Sequence, residues 1–226
     1  MHRHFDDKMG QLRNKLLRMA TLVEEAISKS VRSLVERDSE LARQVIANDD
    51  ELDRLEIEVD RFCVELLGLQ QPMARDLRFI TTAIKINTDL ERLGDLAANV
   101  SERALELNLE VPLKPYIDIP LMAERAQKMV RGALDAYFER DPEKARQVIA
   151  MDDELDERME QIFRELLSFM IEDPRTISRA MRLTFIAKYL ERISDQATNI
   201  CEQVVFMTEG TIIKHPGVTS ESGDHT

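Results

Sequence analysis

Carboxylate residues spaced four apart are the side chains of this sequence best suited to chemistry. One pair is Asp49 with Asp53, and another is Glu91 with Asp95. Residues four apart share one face of an α-helix, where like charges oppose helix formation by roughly a few tenths of a kcal/mol per pair. Two helices packed side by side would bring both pairs into one patch. Carboxylate oxygens suit hard cations such as Mg²⁺, Ca²⁺, Mn²⁺ or iron, so the spacing predicts a metal site.

The same spacing recurs later in the chain, in Asp152 with Asp156 and in Glu191 with Asp195. The alternative interpretation is a solvated acidic face, held by ion pairs with neighbouring arginines such as Arg92. Such faces are common on soluble helices, and a single occurrence would favour that interpretation. Retention of the pattern in both halves, one step away from the apolar face, favours metal binding.

Other catalytic constellations are missing from the sequence. A ferritin-like di-iron oxidase needs Glu-x-x-His motifs inside its helical bundle. The four histidines instead stand near the chain ends, at His2, His4, His215 and His225. The sequence has no Gly-rich phosphate loop and no Gly-x-Ser-x-Gly motif, so nothing supports nucleophilic catalysis. We therefore expect a protein that is not an enzyme.

The chain contains an internal repeat. Of the 18 positions from 36 to 53, 15 are identical in residues 139–156, at an offset of 103. A second match, at an offset of 100, aligns residues 90–102 with residues 190–202. Two copies of one unit, each of about a hundred residues, are the simplest explanation.

Apolar residues in both units alternate between spacings of three and four. This pattern is typical of helices that pack nearly parallel in a bundle. Each unit contains three such segments, which predicts an all-α fold of two tandem three-helix bundles with six long helices. Asp38 and Asp141 suit helix N-caps, and Pro142 suits the first helical position.

A proline-rich segment separates the two units. Pro112, Pro115 and Pro120 interrupt any continuous helix and favour an extended connection. The predicted organisation is a first bundle at 1–109, a linker at 110–120 and a second bundle at 121–210. Residues 211–226 are rich in Ser, Thr, Gly and Pro and are expected to form a disordered tail.

Composition excludes several other classes. The 226 residues are 43% hydrophobic but only 5% aromatic, which argues against a β-sandwich or barrel. A net charge of −12, with no visible basic cluster, argues against binding to nucleic acid or to an anionic membrane surface. No apolar run approaches the ~18 residues that span a bilayer, and the first residues lack the apolar core of a secretory signal. Cys63 and Cys201 lie far apart, which predicts reduced core thiols in a cytosolic protein.

Several motifs occur in a fixed order along the chain. They are Phe5-Asp6, DDELD at 49–53, RDLRF at 75–79, DLERLGDLAAN at 89–99 and LERISDQATNI at 190–200. In this combination the sequence resembles the PhoU family of phosphate-specific transport regulators. The resemblance extends from Phe5 to about Met207. It implies the same two three-helix bundles.

The resemblance also implies multinuclear metal clusters on the carboxylate pairs. The ions would be divalent or trivalent: Fe, Mg, Mn, Ca or Zn. One cluster joins Asp49/Asp53 to Glu91/Asp95, and the other joins Asp152/Asp156 to Glu191/Asp195; Asn99 and Asn199 are secondary candidates. Met159 stands where the first unit has Glu56, with Glu160 as the alternative ligand. The two clusters are therefore expected to differ in ligands or in the number of ions.

The implied activity is regulatory. PhoU-like proteins act with the phosphate ABC transporter, through its ATPase subunit, and with a phosphate-sensing histidine kinase. When phosphate is plentiful they favour repression of phosphate-starvation genes and restrain uptake. A cytoplasmic homodimer, held at the inner membrane only through its partners, is the corresponding expectation. Two alternatives are a carboxylate-only metal-dependent hydrolase, working through a metal-bound water, and a metal-free helical scaffold that binds basic partners.

Overall fold

A computed structural model describes residues 2–70 and 73–210, and these residues form helices joined by short connections. The elements are α1 (His2–Val35), α2 (Ser39–Gln70), α3 (Ala74–Asn108), α4 (Asp118–Glu139), α5 (Pro142–Ile149), α6 (Asp152–Glu172), a single 3₁₀ turn (Pro174–Thr176) and α7 (Ile177–Glu209). Helices α1–α3 form the first bundle, and α4–α7 form the second. The predicted all-α class of two tandem three-helix bundles is confirmed.

The middle helix of the second bundle is divided, unlike its counterpart α2. Helix α5 ends at Ile149, and α6 begins at Asp152. Between them, Ala150 and Met151 have ψ angles of −9° and −13°, which tighten the backbone. The N–H of Met151 accordingly donates to the carbonyl of Val148, three residues back, at 3.0 Å. The chain thus has a short α5 and a separate α6 where six uninterrupted helices were expected.

Helix starts follow the predicted caps. The Asp38 carboxylate accepts hydrogen bonds from the N–H groups of Glu40 and Leu41. Asp141 does the same for Glu143 and Lys144, at 2.9 and 3.0 Å. These bonds satisfy N–H groups that have no partner within the helix.

The apolar seams of both bundles merge into one core. Leu12, Leu16, Met19 and Val23 of α1 are fully buried, as their spacing predicts. A buried Leu or Ile side chain contributes roughly 2 kcal/mol by area. Helix α3 packs against α7, and α1 packs against α4, so the two bundles lie side by side.

Polar contacts also join the bundles. The Tyr137 hydroxyl donates to the carbonyl of Phe79 at 3.1 Å, and the two rings stack with centroids 4.7 Å apart. Arg182 of α7 donates to Glu106 and Glu110 at 2.5 and 2.8 Å. Since Phe79, Glu106 and Glu110 precede the second bundle, these bonds cross the interface.

The connection between the bundles is shorter than predicted. Helix α4 starts at Asp118, so residues 118–120 of the predicted linker lie in its first turn. Pro120 is tolerated there because the first-turn N–H groups need no helical acceptor. The predicted tail at 211–226 lies outside the described residues. Within the described residues, no helix is sufficiently long and apolar to span a membrane.

Candidate functional site

The first carboxylate cluster lies where α2 packs against α3. Asp49 and Asp53 stand on α2, and Glu91 and Asp95 stand on α3. Besides burial, the charges of Asp95 and Asp53 raise the pKa of Asp49, and those of Asp95, Asp53 and Asp49 raise the pKa of Glu91, so the four carboxylates act on one another. The structure therefore brings together the four residues that the sequence pairs predicted.

Close helix approach at Gly94 creates this contact. A Cβ atom at Gly94 would lie 2.5 Å from Leu52 Cδ1 and 3.1 Å from Asp49 Oδ1. The absent side chain leaves the space in which Asp49 reaches toward α3. A glycine one residue before Asp95 thus has a packing role in the cluster.

Burial and mutual repulsion raise the pKa values of this cluster. The pKa of Asp49 rises to about 6, mainly through burial and then through the charges of Asp95 and Asp53. The pKa of Glu91 rises to about 7 through burial, followed by the charges of Asp95 and Glu56. Without a cation, Glu91 is therefore partly protonated at neutral pH.

Two further carboxylates extend the first cluster along α2. Burial, then Asp60 and Asp53, raise the pKa of Glu56. The fully buried Asn87 of α3 donates to Asp60 Oδ1 and to the Glu56 carbonyl, both at 2.9 Å. These bonds fix Asp60 and the α2 backbone against α3. Both continue the four-and-three spacing of Asp49 and Asp53, although neither is one of the four carboxylates predicted to hold ions in this cluster.

The second cluster lies between α6 and α7. Asp152 and Asp156 stand on α6, and Glu191 and Asp195 stand on α7. Burial and then the charges of Glu191 and Asp152 raise the pKa of Asp195 to about 6, although its outer edge meets solvent. Burial raises the pKa of Asp152 as well, and the hydroxyls of Ser194 and Thr198 partly offset that rise. The second set of four predicted residues is thus also assembled.

The two bundles correspond to two copies of a known domain. The PhoU domain matches the chain twice, at residues 16–104 and 119–204. The chain belongs to the PhoU family. The resemblance seen in the sequence motifs is therefore confirmed.

Individual PhoU relatives match almost the whole chain. The phosphate-specific transport system accessory protein PhoU homolog of Aquifex aeolicus is 42% identical over 217 residues, covering 96% of this chain and 98% of that protein. The homolog of the same name from Pseudomonas aeruginosa is 39% identical, covering 95% of this chain and 89% of its own.

Two solved PhoU structures share the fold. The crystal structure of PhoU from Pseudomonas aeruginosa has a TM-score of 0.87 at 38% identity and covers 92% of this chain and 100% of its own. The phosphate transport system regulatory protein PhoU from Streptococcus pneumoniae has a TM-score of 0.86 at 26% identity, with coverage of 93% and 100%.

The donors of both clusters fit the metal ions that the resemblance to PhoU proteins implies. Carboxylate oxygens are ligands for hard cations, and Asp152 Oδ1 is buried without a hydrogen bond of its own. In residues 2–70 and 73–210, however, no three Asp, Glu, His or Cys side chains stand close enough together to hold an ion. Metal binding therefore requires carboxylate rotation within each cluster. Asn99 and Asn199 are partly buried one turn beyond Asp95 and Asp195.

The two clusters of this PhoU chain differ in composition. Met159, at the position of Glu56, packs against the core. Glu160, the alternative ligand, points outward with 63% of its side chain exposed and binds Arg164 at 2.6 Å. Lys188 Nζ donates to Glu191 Oε1 at 2.6 Å. This lysine is not among the predicted site residues, although its place three residues before Glu191 on one helix indicates an ion pair.

Basic residues gather in a groove between α4 and α6. The groove, of about 500 Å³, is lined by Arg125, Lys128, Arg131 and Arg158, which the sequence does not show as a cluster. Arg125 is paired with Glu154, and Arg131 is paired with Glu24 of α1. The acidic partners offset much of the positive charge in this groove.

Both cysteines belong to the core, as predicted. Cys63 and Cys201 are fully buried, and burial raises the pKa of each thiol to about 12. Both thiols therefore stay protonated at neutral pH and are poor metal ligands.

Proposed function

We propose that this chain is an accessory protein of a phosphate transport system that acts as a negative regulator of phosphate uptake. The match to PhoU homologs along nearly the whole chain is the observation that carries the proposal. Those relatives are named as phosphate-specific transport system accessory proteins. The chain covers 98% and 89% of two of those relatives and contains the PhoU domain twice.

The proposed mode of action is that of an adaptor. The chain binds the ATPase subunit of the phosphate ABC transporter and a phosphate-sensing histidine kinase, and it represses the phosphate-starvation genes when phosphate is plentiful. It works in the cytoplasm, at the inner membrane only through these partners, and as a homodimer. Long helices with charged outer faces offer extended surfaces for such contacts. This function needs no catalytic step.

Metal ions would act as cross-links within each bundle. Asp49, Asp53, Glu91 and Asp95 would hold ions between α2 and α3. Asp152, Asp156, Glu191 and Asp195 would do the same between α6 and α7. Bound cations would neutralise the clustered carboxylates and stabilise the folded state by mass action. Burial and then neighbouring carboxylates raise the pKa values of Asp49, Glu91 and Asp195, and a bound cation would relieve the repulsion between these carboxylates.

A reporter of phosphate-starvation genes tests the regulatory function. The gene is deleted in its own organism, and the deletion strain is grown on ample phosphate. It is complemented either with the wild-type gene or with a variant gene in which four aspartates become asparagine: Asp53, Asp95, Asp156 and Asp195. All four side chains are exposed, so the variant should fold. We expect deletion to activate the reporter, wild type to restore repression and the variant to fail. A reporter that stays repressed after deletion would contradict the proposed pathway.

A matched control distinguishes the effect of losing the clusters from the effect of changing the net charge. The control replaces four exposed carboxylates elsewhere: Asp7→Asn, Glu124→Gln, Asp135→Asn and Glu172→Gln. It changes the net charge by the same amount and should restore repression. Elemental analysis of both purified proteins then tests the metal sites, since only the control should retain the bound ions. Wild type without any bound metal would favour the metal-free scaffold, and steady hydrolysis of a phosphate ester would favour the hydrolase.

A further inference from the structure

One lysine distinguishes the second carboxylate cluster from the first. Lys188 of α7 donates to Glu191 Oε1 at 2.6 Å, and its Nζ lies 2.5 Å from Glu191 Oε2. Only 14% of the Glu191 side chain is exposed, so this ion pair is partly shielded from water. Burial and neighbouring carboxylates raise the pKa values of Asp156 and Asp195, and the Lys188 charge partly offsets that rise. The ammonium group therefore acts on three of the four carboxylates of the second cluster.

The first cluster has no such charge at the equivalent position. The repeat offset of 100 places Thr88 opposite Lys188. The charges that most strongly affect the pKa values of Asp49, Glu56 and Glu91 are all other carboxylates. The nearby Arg92 lies 3.8 Å from Asp89 instead. Lys29 of α1 lines a pocket with Asp49, but its Nζ is paired with Glu25 Oε2 at 2.8 Å. In the described residues, the four carboxylates of the first cluster therefore form no ion pair with a lysine or arginine like the one between Lys188 and Glu191.

The second cluster also has fewer carboxylates than the first. The offset of 103 places Met159 opposite Glu56 and Phe163 opposite Asp60. Met159 packs against the core, whereas Glu56 and Asp60 extend the first cluster along α2. The second cluster therefore has fewer negative charges and already contains one positive charge.

We infer that Lys188 is a built-in counter-ion of the second cluster, which makes the first cluster the stronger and larger metal site of this chain. A divalent ion entering the second cluster must displace the ammonium group from Glu191 or remain beside it. Both alternatives weaken binding, because like charges at contact distance repel strongly in a partly buried site. This inference rests on the proposed metal sites and adds to them an order of occupancy.

A Mn²⁺ titration of the full-length, chelator-treated protein tests the inference. Calorimetry gives affinity and stoichiometry, and electron paramagnetic resonance counts free Mn²⁺ independently. The first cluster is disabled by Asp53→Asn with Asp95→Asn, and the second by Asp156→Asn with Asp195→Asn. In the protein with only the second cluster, Lys188→Thr should raise the Mn²⁺ affinity about tenfold or add an ion. In the protein with only the first cluster, Thr88→Lys should lower the affinity by a similar factor.

Two controls define the role of the lysine charge. Lys188→Arg keeps the charge and should bind Mn²⁺ as wild type does. Lys144→Thr removes a half-buried lysine that is paired with Glu139, outside both clusters, and should also leave binding unchanged. Circular dichroism spectra establish that each variant remains helical.

The outcomes separate this inference from the proposal on which it rests. If wild type and Lys188→Thr both bind no Mn²⁺, the metal sites fail and the inference fails with them. If wild type binds Mn²⁺ but neither Lys188→Thr nor Thr88→Lys changes affinity or stoichiometry, the metal sites stand and the counter-ion role is overturned.

Discussion

At the residue scale, carboxylates of similar sequence context have different environments. Glu91 and Asp49 are partly buried between α2 and α3, whereas Asp53 and Asp95 meet solvent at the rim. Burial disfavours the charged form, and neighbouring carboxylates add repulsion. The inner residues are therefore the groups whose protonation, or neutralisation by a cation, most affects the folded state.

The metal-free protein should become less stable as the pH rises from about 5 to 8. The folded-state pKa of Glu91 is raised from 4.5 to about 7, so its favourable contribution is complete below 4.5 and is lost as the pH passes 7. Glu91→Gln should flatten this dependence and increase the free energy of unfolding at pH 8 by about 1 kcal/mol, allowing for solvent screening. Urea denaturation with EDTA at several pH values measures both effects.

Glu172→Gln is the control for this prediction, because Glu172 is exposed at the end of α6. It should leave the pH dependence as in wild type. A Glu91→Gln protein with an unchanged slope between pH 5 and 8 would show that Glu91 titrates normally. Excess Mn²⁺ should reduce the slope in wild type if cations replace protons at the cluster.

The close approach at Gly94 gives a second prediction at this scale. In Gly94→Ala the new methyl group would overlap buried Leu52, and overpacking of this kind costs about 1–3 kcal/mol. Gly68→Ala in α2 is the matched control, since nothing lies within 4 Å of its added Cβ. That change should be neutral or stabilising by up to about 1 kcal/mol, through helix propensity. Thermal unfolding measures the stability of both variants. Equal stabilities of Gly94→Ala and Gly68→Ala would refute the packing argument.

At the element scale, the division between α5 and α6 sets the second bundle apart. Asp152 lies in the first turn of α6, whereas its counterpart Asp49 lies in the interior of α2. Exposed N–H groups and the helix dipole favour a negative charge at a helix start. The second cluster is therefore anchored partly by a helix terminus, and the first by two continuous helices.

The short helix α5 depends on its N-cap. Asp141 accepts from two N–H groups, and α5 has only 8 residues to offset the loss of those bonds. Asp141→Ala should lower the free energy of unfolding by about 1 kcal/mol. Asp141→Asn keeps an acceptor oxygen and should lower the free energy of unfolding far less. Asp135→Ala, on the exposed face of α4, serves as the control. Chemical denaturation measures these free energies. Equal decreases for Asp141→Ala and Asp141→Asn would rule out the capping role.

At the scale of the whole molecule, the two bundles share one core. Tyr137, near the end of α4, is fully buried against Phe79, near the start of α3, and this contact joins the two bundles. Such shared packing makes separate unfolding of either bundle costly. The two repeats are thus coupled structurally, although they derive from one duplicated unit.

Calorimetric unfolding should accordingly show a single transition. Tyr137→Ala should lower the free energy of unfolding by about 3–5 kcal/mol, because it leaves a large cavity between the bundles. Tyr137→Phe removes only the hydrogen bond to Phe79 and should cost about 1 kcal/mol. Two resolved transitions in wild type, with only one of them moved by Tyr137→Ala, would show that the bundles unfold independently.

Much of the fold could be predicted because its signals are local. Spacings of three and four at Leu12, Leu16 and Met19 indicate a helix face, and Asp141 before Pro142 indicates a helix start. These rules depend only on neighbouring residues, so one sequence is enough. The division after Ile149 was not predicted, because no proline or glycine marks it and residues 142–156 closely repeat residues 39–53 of continuous α2.

The sequence by itself determined the helical class, the duplication, the family and the eight clustered carboxylates, because each depends on residue type and spacing along one helix. Only the tertiary structure decided how these side chains meet. It places Asp49 near Asp95 and buries Tyr137 between the bundles. These contacts join segments far apart in the chain. Their geometry depends on how closely whole helices pack, which residue spacing along one helix does not specify.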